Sequence, residues 1–553
     1  MSSMPMWLRP AAVLASAITV ALAAVGCSQL QPMPTDPRGR LFARSLDQID
    51  ELYIVPVSNR TLALDAAARL SQLDPKIKVE ETPGPHDGTE IVLNDGEREV
   101  ATYPSPATDD PHIWGEWLGA LQAEATRASP ALAAHSQDEI DKAMFDGIAG
   151  GLDRFSRYAT PQAARDQRAA RDGFGGIGAI LEDDADPFRI SKIIPGSPAD
   201  VAGMRIGDRI IAVDGESTAS RSQNDVIRQL RGPVLSMVTI GVARPGLAGG
   251  RSYRLQRALI VLPTVTVTRE PGVAVFHISG FNQNTTQQLV HDLEAAKREM
   301  GPQLRGIVLD LRGDPGGLLD QAVSLADVFL AKGPIVATVG RNPASRQYFE
   351  AAGDSVAPHV PIVVLVNGGS ASASEIVAAA LQDAGRAVVV GTASYGKGTV
   401  QTVLRLPNDA ELTLTWAELV APAGYSLNGH GVVPTICTSD LGDDNLAIET
   451  AMQRASGAAA GSPALGVLRT SLDDTGWMEL RRSCPPRTGD RAIDLAVAER
   501  LLDDPVLYSQ AAHLLGQSPS LAAKPVGTTP ASSTSDDALT GIDGSLSSRE
   551  HNP

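Results

Sequence analysis

The chain has 553 residues, too many for a single hydrophobic core, so about three folded units are expected. Its formal net charge of -17 argues against nucleic acid as a partner, and 43% hydrophobic with 20% charged residues is ordinary for a folded globular protein. Aromatic residues at 4%, beside abundant Ala, Gly and Pro, read as compositional bias, and no repeat of fixed period is present.

Residues 1–27 read as a targeting segment. Arg9 gives a weakly positive start, residues 11–25 are apolar but short for a bilayer span, and Ala24-Val25-Gly26-Cys27 ends the segment in small residues. That end resembles a bacterial lipobox, with Ala24 where leucine is more usual. The resemblance makes Cys27 the acylated first residue of the mature protein, anchored in a membrane, and Ser28 after it points to the outer one. An ordinary secretory signal with an incidental cysteine is the alternative; under either reading the protein is exported.

Residues 28–172 form a helical N-terminal region in this reading. Helical spacing runs over residues 41–73 and again over 138–158, whereas 77–103 alternates as strands do, so a strand-rich insertion is expected near 77–135. Residues 173–258 make the next unit. Its run Ile193-Ile-Pro-Gly-Ser-Pro-Ala-Asp-Val-Ala-Gly-Met-Arg-Ile-Gly-Asp-Arg-Ile-Ile-Ala-Val-Asp-Gly215 resembles the bacterial PDZ signature. A PDZ domain adds an extended peptide to its sheet and takes the terminal carboxylate on backbone N–H groups; the resemblance assigns that loop to Gly176-Ile177-Gly178. Near Gly232, Pro-Val-Leu-Ser replaces the Gly-Thr usual in such domains.

From 259 to 440 the chain alternates strands and helices as an α/β core does, with strands at 273–278 and 307–311 and a helix at 285–300 between them. Residues 306–318, GIVLDLRGDPGGL, end in glycines that let backbone N–H groups approach a substrate closely. Gly316 is the candidate oxyanion donor, with Gly317 the runner-up.

The stretch 361–406 carries the chemistry. An apolar run at 362–366 reads as a buried strand, Gly368-Gly369 breaks it, and an alanine-rich helix follows over 374–383. Ser372 falls where that helix begins, beside unpaired N–H groups and the positive end of the helix dipole, and Ala373 supplies one such donor. Lys397, between two glycines on a following loop, is a candidate base if desolvation keeps its amine neutral. Gln401 is four residues on, and even spacing in an extended strand puts it on the same face, where its amide can orient the lysine. The competing reading is local: Ser372-Ala-Ser-Glu375 is also a capping box. His277, His291, His359 and His430 are scattered, and neither a G-x-S-x-G elbow nor HExxH occurs, so neither a His base nor a metal is indicated.

Over residues 367–401, NGGSASASEIVAAALQDAGRAVVVGTASYGKGTVQ, the chain resembles the carboxyl-terminal processing (tail-specific) proteases, serine endopeptidases with a Ser–Lys dyad and a PDZ domain. The resemblance implies Ser372 as nucleophile, Lys397 as general base and Gln401 as support. It also implies an α/β (ClpP/crotonase-like) core with an inserted PDZ domain and a helical N-terminal region. The substrates it implies are exported or envelope proteins recognised through their free C-termini, with an adaptor protein as a further partner and no cofactor. A catalytically silent PDZ scaffold that binds peptides is the alternative. The chain departs from the family at Asp153-Arg154-Phe155-Ser156, where Asp-Pro-His-Ser is usual, at Asp314, where asparagine is common, and at Thr435, where aspartate is usual.

Residues 424–434 resemble the closing strand and turn of the family's core. Cys437 and Cys484 are candidates for a disulfide in an oxidising compartment, with two separately buried thiols the alternative. A C-terminal helical region is expected over 441–516, with a helix at 494–502, and a disordered Ser/Thr/Pro/Gly-rich tail over 517–553.

Overall fold

The computed structural model describes residues 36–84, 88–182, 188–246, 249–442, 445–455 and 472–513. The targeting segment with Cys27 and the tail from 517 lie outside them.

The core is a six-stranded sheet in the order Val265–Glu270, Val273–Ile278, Gly306–Asp310, Ile362–Val366, Val388–Gly391, Ile436–Cys437. The first pair is antiparallel and every later pairing is parallel. Parallel strands need both faces covered, which is why Gly306–Asp310 and Ile362–Val366 are buried at every position. Side chains alternate between faces. Ile362, Val364 and Val366 join one apolar cluster with the helices Thr285–Met300, Leu319–Asp327 and Ala373–Asp383. Val363 and Leu365 join another with Ile493, Val497 and Leu501 of helix Ala492–Asp503, so the C-terminal helices form the second layer of the core. A Cβ on Gly306 would sit 2.5 Å from the Leu502 side chain, so glycine lets this helix lie directly on the sheet.

A second sheet contains the antiparallel hairpin Thr399–Arg405 and Glu411–Val420, and short strand Arg157–Ala159 pairs with its outer arm. Leu406, Ala410, Leu412 and Leu414 of this hairpin complete the core of the N-terminal helices. Those helices are Pro37–Leu52, Asn59–Ala68, Pro111–Ala128 and Gln137–Gly150. The strand-rich insertion is shorter than the sequence suggests. Strands occupy Ile77–Pro83, Thr89–Asp95 and Arg98–Pro104, whereas 111–128 is a helix that buries Trp114, Leu118 and Leu121 against Pro37–Leu52. Likewise helical spacing does not persist to 158: the helix stops at Gly150 and a strand begins at Arg157.

The smaller domain has its own apolar cluster, including Ile190, Ile210, Val226, Val238 and Ile240. The chain enters it through Phe174–Gly176 and leaves through Ala258–Ile260, and these two strands pair with each other. Residues 424–434 form turns, with one isolated bridge from Ser426 to Val420, rather than the expected closing strand. Closure comes instead from Ile436–Cys437. Cys437 and Cys484 are bonded, S–S 2.05 Å, tying the last core strand to the end of helix Asp474–Ser483.

Candidate active site

In open α/β sheets, functional loops gather beyond the carboxyl ends of the strands. Two such ends meet here. Gly313-Asp314-Pro315-Gly316-Gly317 follows Gly306–Asp310, and the serine cluster follows Ile362–Val366. Around them opens a 510 Å³ cleft lined by Ser372, Ala373, Lys397, Gln401, Gly316, Gly317, Thr264, Phe281, Arg157 and Arg171, among others.

Ser372 begins helix Ala373–Asp383 with φ 57° and ψ -113°, a conformation that costs a non-glycine residue roughly 1–3 kcal/mol. Its neighbours hold it there. Ala371 N–H donates to the Asp314 carbonyl at 2.9 Å, and Tyr395 N–H donates to the Ser370 carbonyl at 2.9 Å. The flanking hydroxyls serve the same purpose, Ser370 Oγ donating to Leu311 O at 2.8 Å and Ser374 Oγ to Asp314 O at 3.0 Å. Both are fully buried, whereas Ser372 lines the cleft.

Glu375, read from the sequence as a capping residue, does more than cap. One oxygen, Oε2, accepts from Ser372 N–H at 2.8 Å and from Lys397 N–H at 2.9 Å. The other, Oε1, accepts from Gly396 N–H at 2.7 Å and Ser394 Oγ at 2.5 Å. Burial pushes its pKa up, yet all four groups facing it are donors, an arrangement that a carboxylate satisfies. One buried side chain thus fixes the serine and the lysine loop relative to each other.

Lys397 owes its position to its glycines. A Cβ at Gly398 would lie 1.8 Å from Asn428 N, so only glycine permits that backbone approach, and Gly396 has φ +87°. The ammonium lies 5.2 Å from the centre of the Phe155 ring. Burial lowers the lysine pKa, the Arg157 charge lowers it further, and Glu375 and Asp153 oppose the shift.

Gln401 shares the cleft with Lys397, but its amide is spent on threonines and not on the lysine. The ladder irregularity beside it leaves the extra residue, Trp416, on the partner strand, and the amide donates to Thr399 Oγ1 at 2.8 Å and Thr415 Oγ1 at 3.2 Å. Gly316 is also different from its expected role, because its N–H is taken by Asp314 Oδ1 at 2.8 Å. Among the described residues, no acceptor lies on the N–H of Gly317 or of Ala373. A Cβ at Gly316 would meet Ala373 N and Ser372 Cβ at 2.9 Å, so this loop lies directly against the serine.

Phe155, Arg157 and Glu375 were not legible as site residues, nor was Arg481. Arg481 donates to the carbonyls of Ser394 at 2.5 Å, Tyr395 at 3.0 Å and His430 at 2.9 Å, bracing the lysine loop from the disulfide-tied helix. The scattered histidines lie elsewhere; His430 meets Ser426 O and Asp474, and His277 meets Asp310.

A second cleft, 250 Å³, lies in the smaller domain. Gly176, Ile177 and Gly178 line it with Phe174, Ile180, Ile227, Leu230, Ile260 and Leu262. Gly178 has φ +79°, and a Cβ there would sit 2.2 Å from Ser197 Cβ.

Residues 272–438 match Peptidase family S41 and residues 189–244 match the PDZ domain. The fold and cleft thus define a serine peptidase that carries a peptide-binding module. A carboxy-terminal-processing protease of Bartonella bacilliformis is 38% identical over 306 residues, covering 54% of this chain and 69% of that protein. A probable CtpA-like serine protease of Staphylococcus aureus is 33% identical over 303 residues, covering 54% of this chain and 60% of that one. Among solved structures, the photosystem II D1 C-terminal processing protease is 25% identical with a TM-score of 0.34, covering 72% of this chain and 92% of that chain. The chain belongs to the carboxy-terminal-processing protease family.

Proposed function

We propose that the protein is a lipid-anchored serine endopeptidase of the cell envelope that works through a Ser372–Lys397 dyad. The observation that carries this reading is the pairing of the two residues in one cleft through a single carboxylate oxygen of Glu375. Neutral Lys397 takes the proton from Ser372 Oγ as that oxygen bonds to the scissile carbonyl carbon and the carbonyl electron pair moves to oxygen. The oxyanion is held by the N–H groups of Ala373 and Gly317, the two left without an acceptor, in preference to Gly316. The lysine then protonates the leaving amine, and water releases the acyl group. Gln401 steadies the far wall through its two threonines.

Substrates are engaged through free C-termini in the smaller cleft, with Gly176-Ile177-Gly178 as the carboxylate loop. An adaptor delivering such substrates, export by residues 1–27 and acylation at Cys27 belong to the same reading. Among the described residues, no helix is long and apolar enough to cross a membrane.

A serine-directed acylating probe should label the wild type and not Ser372→Ala; equal labelling of both would end the dyad assignment. Intact mass should show an acylated mature N-terminus at Cys27, and an unmodified cysteine would end the anchor. Ile227→Asp, in the lining of the second cleft, should weaken peptides with a free carboxylate. Equal binding of amidated and free-acid peptides by the wild type would refute C-terminal recognition.

A further inference from the structure

Asp314 lies within the glycine loop, packed against the serine turn, at a position where its family commonly has asparagine. Its side chain is fully buried, with Oδ1 accepting from Gly316 N–H at 2.8 Å and Oδ2 buried with no partner among the described residues. Its carbonyl accepts from Ala371 N–H and Ser374 Oγ, the residues just before and two beyond the nucleophile. One residue therefore links the oxyanion loop to both flanks of Ser372.

We propose that Asp314 is a positioning residue whose uncharged form is the working one, so that the oxyanion site is switched off when this carboxyl ionises. The reading rests on the Ser372–Lys397 mechanism above.

The geometry supports it in two ways. A proton on Oδ2 leaves Oδ1 free to accept from Gly316, so the neutral acid keeps the turn intact and presents the same acceptor pattern as an asparagine. The ionised form instead puts an unpaired, desolvated negative charge on the loop that must stabilise a second one as the carbonyl electrons move to oxygen. Asp314 transfers no proton in that step: Ser372 gives its proton to Lys397. Burial pushes the Asp314 pKa up to about 7, with the Gly316 N–H and Ser374 pulling the other way.

Of the other titratable groups on the elements packed around it, the nearest carboxylates along the serine helix and its own strand are engaged. Glu375 on the serine helix is held by four donors. Arg312, just past the end of its own strand, pairs with both Asp310 and Asp494. Asp320 begins the next helix, and Lys397, across the cleft, must itself be neutral to act.

The test is the pH dependence of kcat/KM on an unstructured peptide, for the wild type and Asp314→Asn, with Ser372→Ala as blank. A lysine base alone gives a rate that rises with pH to a plateau. The wild type is expected to fall on the alkaline side instead, by about tenfold per pH unit once the pH exceeds the pKa values of both Asp314 and Lys397. Asp314→Asn is expected to lose that fall and keep the rise on the acid side, which a purely structural role for Asp314 would not produce. A wild-type rate that never falls up to the highest pH at which the protein stays folded, or an alkaline fall unchanged in Asp314→Asn, overturns the proposal. Should the variant fold poorly, infrared titration of wild-type protein decides: a protonated carboxyl band that disappears across neutral pH is required, and its absence refutes the assignment. Activity remaining in Ser372→Ala would instead refute the dyad, which keeps the two failures apart.

Discussion

Glu375→Gln is the sharpest test of how the site is held together. The change removes a charge and hardly alters shape, but it converts one carboxylate oxygen into an NH2 group. If the amide oxygen keeps Ser394 and Gly396, the NH2 replaces Oε2 and faces the N–H groups of Ser372 and Lys397, donor against donor. Two buried N–H groups then lose their acceptor, at about 1–3 kcal/mol each, or roughly 2–6 kcal/mol together. That energy falls on the contact that sets the serine against the lysine. With each 1.4 kcal/mol worth about tenfold, kcat/KM is expected to fall between about 30-fold and 10⁴-fold. Peptide turnover and the rate of acylation by a serine probe should drop together, and the melting temperature should fall as well. Glu375→Asp keeps the charge but is one methylene short, so it too should be impaired. Glu375→Gln turning over within about threefold of wild type, at unchanged melting temperature, would refute the claim that this carboxylate aligns the pair.

Lys397→Arg keeps the charge but cannot release a proton at working pH, so it should be as inactive as Lys397→Ala; substantial turnover would place the base elsewhere. Because only neutral Lys397 accepts the serine proton, wild-type activity should disappear as pH falls through the lowered lysine pKa, and retention of full activity in acid would contradict the mechanism. Phe155→Ala opens the lysine to water, which should raise its pKa and move the acid limb of the pH–rate profile to higher pH; an unmoved limb would show that the ring does not shield the amine. Replacing Cys437 and Cys484 with serine frees a cross-link spanning 47 residues. By loop entropy that is worth about 4 kcal/mol, so the melting temperature and turnover should both fall, the latter because Arg481 sits on the released helix.

What could be read from the sequence was what local patterns encode. The strand Ile362–Val366 and the helix Thr285–Met300 fall where an unbroken apolar run and a 3.6-residue period place them. Ser372, Lys397 and Gln401 do share one cleft. The reading failed where distant segments decide. Glu375 looked like a cap because its partners toward the lysine loop, Ser394, Gly396 and Lys397, are 19, 21 and 22 residues away. Phe155 reaches Lys397 only because Arg157–Ala159 pairs with the hairpin beyond it. Gln401 keeps the alternation of its strand, but its amide is taken by Thr399 and, across the ladder, by Thr415, a partner 14 residues away that spacing does not reveal. Helix Pro111–Ala128 was absorbed into a strand-rich segment although its buried Trp114, Trp117, Leu118 and Leu121 have helical spacing.

The paired strands Phe174–Gly176 and Ala258–Ile260 give the smaller domain a single stalk. Just outside that stalk, Arg171 on the incoming side and Thr264 on the outgoing side both line the catalytic cleft, while Ile260 and Leu262 line the peptide cleft. Leu262 and Thr264 are two residues apart, a reach of no more than about 7 Å. The stalk therefore works as a lever with a short arm. Any swing of the module, under the pull of a bound chain, loads two lining positions of the cutting site at once.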